Sequence, residues 1–337
     1  FPYTTLFRSI FEKLNKFLKL RSRLARPKIA AAFMNLSFKS LLSFQPDGWS
    51  AVDMQGGMFG VNVRLPAAGG RKPVVLRRAA FPGQAVDTAV MAQMGRTLSP
   101  DKFNLVALLG RREYQLFMVD KPAVRQDEME SSLRLAVSPL IDYPVAEANL
   151  AWLDIPIRQT MGNRVPQLYV VVARTDLVDA RKALFEQARM GLAAVDIREA
   201  AQRNIAWQME NGDSAVCLLC VEPEGVQLTI TFNGELYLVR FISEILMGKG
   251  GLSDRDALAQ AVERLALEIQ RSFDFVRRNY PALNIKALHV APTQEDLGLV
   301  DLLKAHLIEE VKPLDLSDVF DFSIDADLKK PQVQAQY

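Results

Sequence analysis

The sequence runs twice through one order of elements, and few folds can be built on such a repeat. Trp49–Met54, Met58–Leu65 and Val74–Ala80 read as three short strands, with turns expected at Gln55-Gly56-Gly57 and Ala67–Gly70. A helix is predicted from about Gln84 to Gly95, then a fully buried strand at Asn104–Leu109. The second half begins again with three strands, Ala215–Val221, Val226–Phe232 and Glu235–Ile242. The last two are joined by Asn233-Gly234, a pair that tolerates the positive φ of a two-residue hairpin. A long helix follows, with Ser253 as its cap, Asp256 three residues on and Pro281 as its stop. Its Leu258, Val262, Leu265, Ile269, Phe273 and Val276 step by 4, 3, 4, 4 and 3, an apolar stripe for a core. Lys286–Val290 then reads as a strand and Leu297–Leu307 as a helix.

Three strands, helix, strand, helix is the order of a ribonuclease H-like unit. Two in tandem make the α/β actin-like ATPase superfold, although element order alone is degenerate. Between the halves lies additional material: a strand at Tyr114–Val119, a helix at Asp127–Val137 and a strand at Leu150–Ile155. We read it as a small inserted αβ subdomain, after which the first unit resumes at Leu168–Ala173. The expected division is a first unit of residues 34–110 plus 161–205, an insertion of 111–160, a second unit of 206–312 and a tail of 313–337. A length of 337 residues suits two domains at roughly 150 residues each.

Composition removes several alternatives. With 49% hydrophobic and 24% charged residues the chain is neither disordered nor fibrous, and no run approaches the ~18 apolar residues that cross a bilayer. Cys217 and Cys220 are the two cysteines, too few for a disulfide scaffold. They form C-x-x-C, but on a strand residues three apart point to opposite faces, so they read as core side chains. His289 and His306 have no partner at metal-ligand spacing. The formal charge of +2 conceals an asymmetry: residues 1–33 carry eight basic side chains against Glu12 alone, which leaves −5 for the rest. Nucleic-acid binding would rest on that leader alone. Phe1–Ser9 resembles a translated adapter and Met34 a start, so 1–33 reads as a leader foreign to the fold. The alternative is a basic amphipathic helix (Ile10, Phe11, Leu14, Phe17, Leu18 with Lys13, Lys16, Lys19) on an anionic membrane.

Four segments carry a family resemblance: ALLGRREYQLFMVDKPAVRQDEMESSLRLAVSPLIDYPVAEANLAWLDIP from Ala107, VDIREAAQRN at 195–204, EPEGVQLTITFNGELYLVR at 222–240 and LALEIQRSFDFVRRNYP at 265–281. Together they resemble PilM-type pilus assembly proteins, and within them the MSHA pilus biogenesis branch called MshI. The resemblance covers roughly Asp47 to Leu307. It implies an actin-like protein at the cytoplasmic face of the bacterial inner membrane. There it would bind the cytoplasmic tail of a bitopic, PilN-like pilus assembly protein and reach the membrane through that partner. Oligomerisation stays open.

An actin-like ATPase would hold ATP and Mg²⁺ between two small-residue hairpins. The first candidate is Asp53 with Gly56 and Gly57, where the usual hydroxyls are missing; the second is Glu222-Pro223-Glu224-Gly225, with two carboxylates and a proline. The adenosine-side loop, Ala291–Glu295, lacks paired glycines. Asp53, Gly56, Gly57 and Gly225 are thus the candidate nucleotide residues of a degenerate site, and no catalytic residue or metal ligand is assigned. The rival readings are a nucleotide-switched ATPase driving pilus assembly and a sugar or acetate kinase; the kinase is disfavoured because it needs intact phosphate loops. Candidate partner contacts lie on the insertion: Leu116, Phe117 and Met118 on its strand, Met129 and Leu133 on its helix, and Tyr143 in the turn before Pro144.

Overall fold

The computed structural model describes residues 48–66, 72–156, 165–212, 214–246 and 255–337. The leader, the turn at Ala67–Gly70 and the Ser253 cap lie outside them. In chain order the elements are β1 (Gly48–Asp53), β2 (Gly57–Arg64), β3 (Val74–Pro82), α1 (Thr88–Leu98) and β4 (Phe103–Leu108). Then come β5 (Tyr114–Asp120), α2 (Met129–Val137), β6 (Ala148–Ile155) and β7 (Gln167–Arg174), followed by α3 (Thr175–Gln187), β8 (Leu192–Asp196) and α4 (Arg198–Met209). The second half has β9 (Ala215–Glu222), β10 (Gly225–Phe232), β11 (Glu235–Ile242), α5 (Arg255–Asn279), β12 (Ile285–Val290), α6 (Leu299–Lys304), β13 (Glu310–Pro313) and α7 (Pro331–Gln334).

The two large sheets share one topology, β3-β2-β1-β4-β8 and β11-β10-β9-β12-β13. In each, an antiparallel meander is extended by two strands that run parallel to its first strand. This is the ribonuclease H-like arrangement in tandem. The fifth strands, β8 (LAAVD) and β13 (EVKP), escape a hydrophobicity reading because five and four residues are too short for a two-residue period to show.

Local chemistry accounts for the boundaries. Helix α1 starts at Thr88 rather than Gln84 because the Asp87 carboxylate accepts the amides of Ala89 and Val90 at 2.9 and 2.8 Å, capping the first turn. Helix α6 starts at Leu299 rather than Leu297 because Gly298, at φ 61°, stands as its left-handed N-cap. Asn233 and Gly234 adopt φ of 54° and 71°, as their hairpin requires. Along α5, Val262, Leu265, Ile269, Phe273 and Val276 are all fully buried against the second sheet, while Leu258 packs partly buried at its margin. Each such side chain contributes roughly 1.5–3 kcal/mol of burial.

The insertion is a three-stranded antiparallel sheet, β5-β7-β6. Its central strand is β7, so Leu168–Ala173 does not resume the first unit. That strand is buried on both faces and reads as continuous apolar sequence, indistinguishable from a parallel core strand. The inserted sheet therefore runs on to Arg174, past the boundary expected at residue 160. One face is covered by α2, whose Met129, Leu133 and Val137 pack on Leu150, Leu168, Val170 and Val172. The other face carries Tyr114, Val171 and Ala173 onto the first unit, and Leu153, Ile155 and Tyr169 onto the second. The insertion is thus wedged across both units. Leu133 is 0% exposed, and Leu133→Ala should cost about 2–5 kcal/mol by removing the side chain that joins α2 to this sheet. Chemical denaturation with insertion-specific hydrogen exchange would measure it.

Candidate functional site

The two hairpins named from sequence face one cleft. Met54 and Gln55 of the first and Glu224 of the second line it, with Leu108, Gly110, Arg112, Glu113 and Arg181. The cleft holds about 210 Å³, below the roughly 300 Å³ at which ligand pockets usually begin. Its charged groups are balanced, Arg112 and Arg181 against Glu113 and Glu224.

Asp53 ends β1 with its carboxylate occupied. Arg198 Nη2 donates to Asp53 Oδ2 at 2.6 Å and to Gln55 Oε1 at 2.7 Å, while the Gln55 amide donates to Asp53 Oδ1 at 3.1 Å. A similar closure surrounds Glu113, which accepts the Gly110 amide at 2.7 Å and Arg181 Nη2 at 2.5 Å. Glu222, at the end of β9, is 4% exposed; burial pushes its carboxyl up, opposed by the charges of Arg198 and Arg111. Arg198 therefore stands as an internal cation among the carboxylates of both hairpins.

Two of the glycines have a reason in the sheets themselves. A Cβ on Gly57 would lie 2.5 Å from the Phe81 carbonyl oxygen of β3, and one on Gly225 would lie 2.4 Å from the Ile242 carbonyl oxygen of β11. At each hairpin the third strand crosses too closely for a side chain. Gly56, at φ 67°, serves the turn and meets nothing within 4 Å.

A second cluster lies where the insertion meets both units. Glu199, 0% exposed, accepts Arg111 Nη1 and the Tyr114 hydroxyl, each at 2.6 Å. The Arg111 guanidinium in turn lies 4.2 Å from the centroid of the Phe241 ring of β11. Burial and the Glu199 charge push the Tyr114 hydroxyl well up, so it remains a proton donor to that carboxylate. Asp196 stands beside this cluster. Burial pushes its carboxyl up to about 6, against the Ile197 amide and the charge of Arg203. The folded chain thus keeps a proton that the unfolded chain has lost between roughly pH 4 and pH 6, so this group's contribution to stability falls as pH rises through that window. Asp196→Asn should flatten that part of the dependence, measured as the difference in Tm between pH 4.5 and pH 7.5 for variant and parent.

The six partner candidates separate. Met129 and Leu133, 3% and 0% exposed, lie inside the insertion's core, so their apolar stripe covers their own sheet rather than a partner. Phe117 and Tyr143 pack at the margin of that core, and the Arg174 guanidinium lies 5.0 Å from the Tyr143 ring centroid. Leu116 packs towards both large units. Met118 is 45% exposed, on the outermost strand of the inserted sheet. Cys217 and Cys220 are free, on a strand paired without a bulge across that span, and burial pushes both thiols up, Cys220 to about 12. Among the described residues no three His, Cys, Asp or Glu side chains are placed to hold a metal ion, and no helix is long and apolar enough to cross a membrane.

Sequence reading missed Arg198, Arg181, Glu113, Arg111 and Glu199. One signal was available: an arginine in the first turn of a helix opposes the helix dipole and needs a nearby anion to justify it.

Residues 114–240 match the family model for the type IV pilus assembly protein PilM, so the chain carries a PilM-like domain from the start of β5 to near the end of β11. No curated protein matches the sequence. Among solved structures, a PilM–PilN type IV pilus biogenesis complex is 18% identical, with a TM-score of 0.65 over 86% of this chain and 96% of that one. The cytoplasmic domain of EpsL, an inner-membrane component of the type II secretion system of Vibrio cholerae, is 12% identical (TM-score 0.44, 72% of this chain and 81% of that one). A Bacteroides thetaiotaomicron protein with an actin-like ATPase fold is 10% identical (TM-score 0.47, 88% and 100%). The fold is actin-like, with the inserted αβ subdomain.

Proposed function

We propose that this chain is a type IV pilus assembly adaptor that binds a short cytoplasmic segment of a PilN-like bitopic membrane protein and works without hydrolysing nucleotide. The observation that carries the adaptor reading is the placement of the PilM match, which takes in the whole insertion and its contacts with both units. The docking region is the outer strand β5, where an extended peptide can pair with an open edge and set apolar side chains beside Met118 and Leu116. On this reading the protein works at the cytoplasmic face of the inner membrane, which it reaches through its partner. The assignment to the MSHA branch rests on the four sequence segments quoted above.

The non-hydrolytic reading is supported by Asp53, whose carboxylate is neutralised by Arg198 instead of being open to Mg²⁺. Cations and carboxylates in equal number around a cleft of about 210 Å³ offer a triphosphate neither room nor net attraction. Equilibrium titration with Mg-ATP tests this reading. No saturable binding in the micromolar range is expected, and Asp53→Ala should change nothing. Micromolar affinity with measurable turnover would favour the nucleotide-switched ATPase instead.

A further inference from the structure

Beyond Pro313 the chain leaves the outermost strand of the second sheet, β13, and crosses to the outermost strand of the first, β3. Two backbone bonds seat it there: the Val75 amide donates to the Asp321 carbonyl at 3.0 Å, and the Asp321 amide to the Pro73 carbonyl at 2.8 Å. Side chains reinforce the seat. Lys72 Nζ donates to the Ser317 carbonyl at 2.6 Å, and Arg78 Nε pairs with Asp325 Oδ2 at 2.5 Å. Tyr337 meets Phe59 edge-on at 6.4 Å between ring centroids and lies under the Arg78 guanidinium at 5.6 Å. Phe322 and Leu328 bury themselves on Val75 in a small core of their own.

The segment is built to keep one shape. Gln334, 3% exposed, donates to the Leu328 carbonyl at 2.9 Å and accepts the Leu316 amide at 3.1 Å, riveting its two ends together. At its root, Leu314 and Leu316 pack against α4, the helix that leads from the first unit to the second, and against Val216 and Leu218 of β9. The units are therefore joined by the covalent passage through α4, by the insertion that packs on both, and, at the opposite edge of the first sheet, by a non-covalent docking on β3. A body held at two separated points resists rotation about either.

We propose that residues 315–337 form a strap that fixes the mutual closure of the two ribonuclease H-like units. In an actin-like architecture the hairpins ending at Asp53 and Glu222 belong to different units, so their approach depends on that closure. The strap meets the first hairpin only through Tyr337 on Phe59, the strand partner of Asp53, and acts on the second at a distance, by preventing the units from turning apart.

The test uses the full chain carrying Arg78→Ala and Tyr337→Ala together, which loosens the strap without opening a core, and separately Phe322→Ala. Hydrogen exchange is followed in β3, in the hairpins 53–57 and 221–226, and in β9 and β12 as reporters of global folding. Exchange at β3 is expected to accelerate at least tenfold, both hairpins are expected to accelerate with it, and β9 and β12 to keep their protection. Faster exchange confined to β3 and the 53–57 hairpin, which Tyr337 touches through Phe59, with 221–226 unchanged, would reduce the segment to a cover for an exposed edge and overturn the proposal. Unchanged β3 exchange would overturn it as well, because these contacts would not be what holds the segment. Loss of protection in β9 and β12 would make the segment part of the folding core and not a strap.

Discussion

Glu199→Ala is expected to lower the unfolding midpoint by about 5 °C or more. The carboxylate is fully buried and accepts two hydrogen bonds from the insertion, one from the Arg111 guanidinium and one from the Tyr114 hydroxyl. Removing it strands a partly buried guanidinium and a buried hydroxyl, and breaking such a pair from one side costs about 3 kcal/mol. The loss falls where the first unit, the insertion and the Phe241 ring of the second unit converge, so it should loosen the insertion before the two cores. Glu199→Gln keeps the volume and an acceptor for Tyr114 and should recover part of the loss. Calorimetry of the three proteins measures both steps. An unchanged midpoint in Glu199→Ala would mean that the junction is held by its apolar contacts alone.

Met118→Asp is expected to reduce affinity for the partner segment by at least tenfold, about 1.4 kcal/mol, while leaving the midpoint within a degree or two. Met118 is 45% exposed on the outer strand of the inserted sheet, where a carboxylate can stay hydrated in the free protein but would be buried against a docked peptide. Substitutions at Met129 or Leu133 would not discriminate, since they damage the helix–sheet core and any loss of binding would follow from that. Surface plasmon resonance with an immobilised partner peptide, read beside thermal unfolding, separates the two causes. Full affinity in Met118→Asp would move the docking site away from β5.

What could be read from the residues alone followed from local rules. The α5 stripe was legible because five of its six positions face one sheet, and the Asn233-Gly234 turn because its backbone permits only a few residue types. The Leu168–Ala173 strand was placed in the wrong body because a strand covered on both faces carries no mark of which sheet covers it. Met129 and Leu133 were misread for a related reason: an apolar helical stripe looks the same whether it packs on its own sheet or awaits a partner. The pairing of Asp53 with Arg198 spans 145 positions, and no spacing rule reaches that far. A lone aspartate at a strand end therefore read as a candidate nucleotide residue, and its pairing with Arg198 came only from the folded chain. Three of the four segments that resemble the pilus assembly family overlap the span 114–240 that matches the PilM model, and the side-chain partners within it came only from the fold.

On the proposed reading the protein grips a PilN-like membrane partner through the insertion and needs no nucleotide to do so. Isothermal titration of the intact protein with a peptide of the PilN-like partner's cytoplasmic segment, with and without Mg-ATP, tests it most directly. Micromolar binding that is the same in both conditions is expected. Binding that appears only with Mg-ATP, or heat from ATP turnover during the titration, would contradict it.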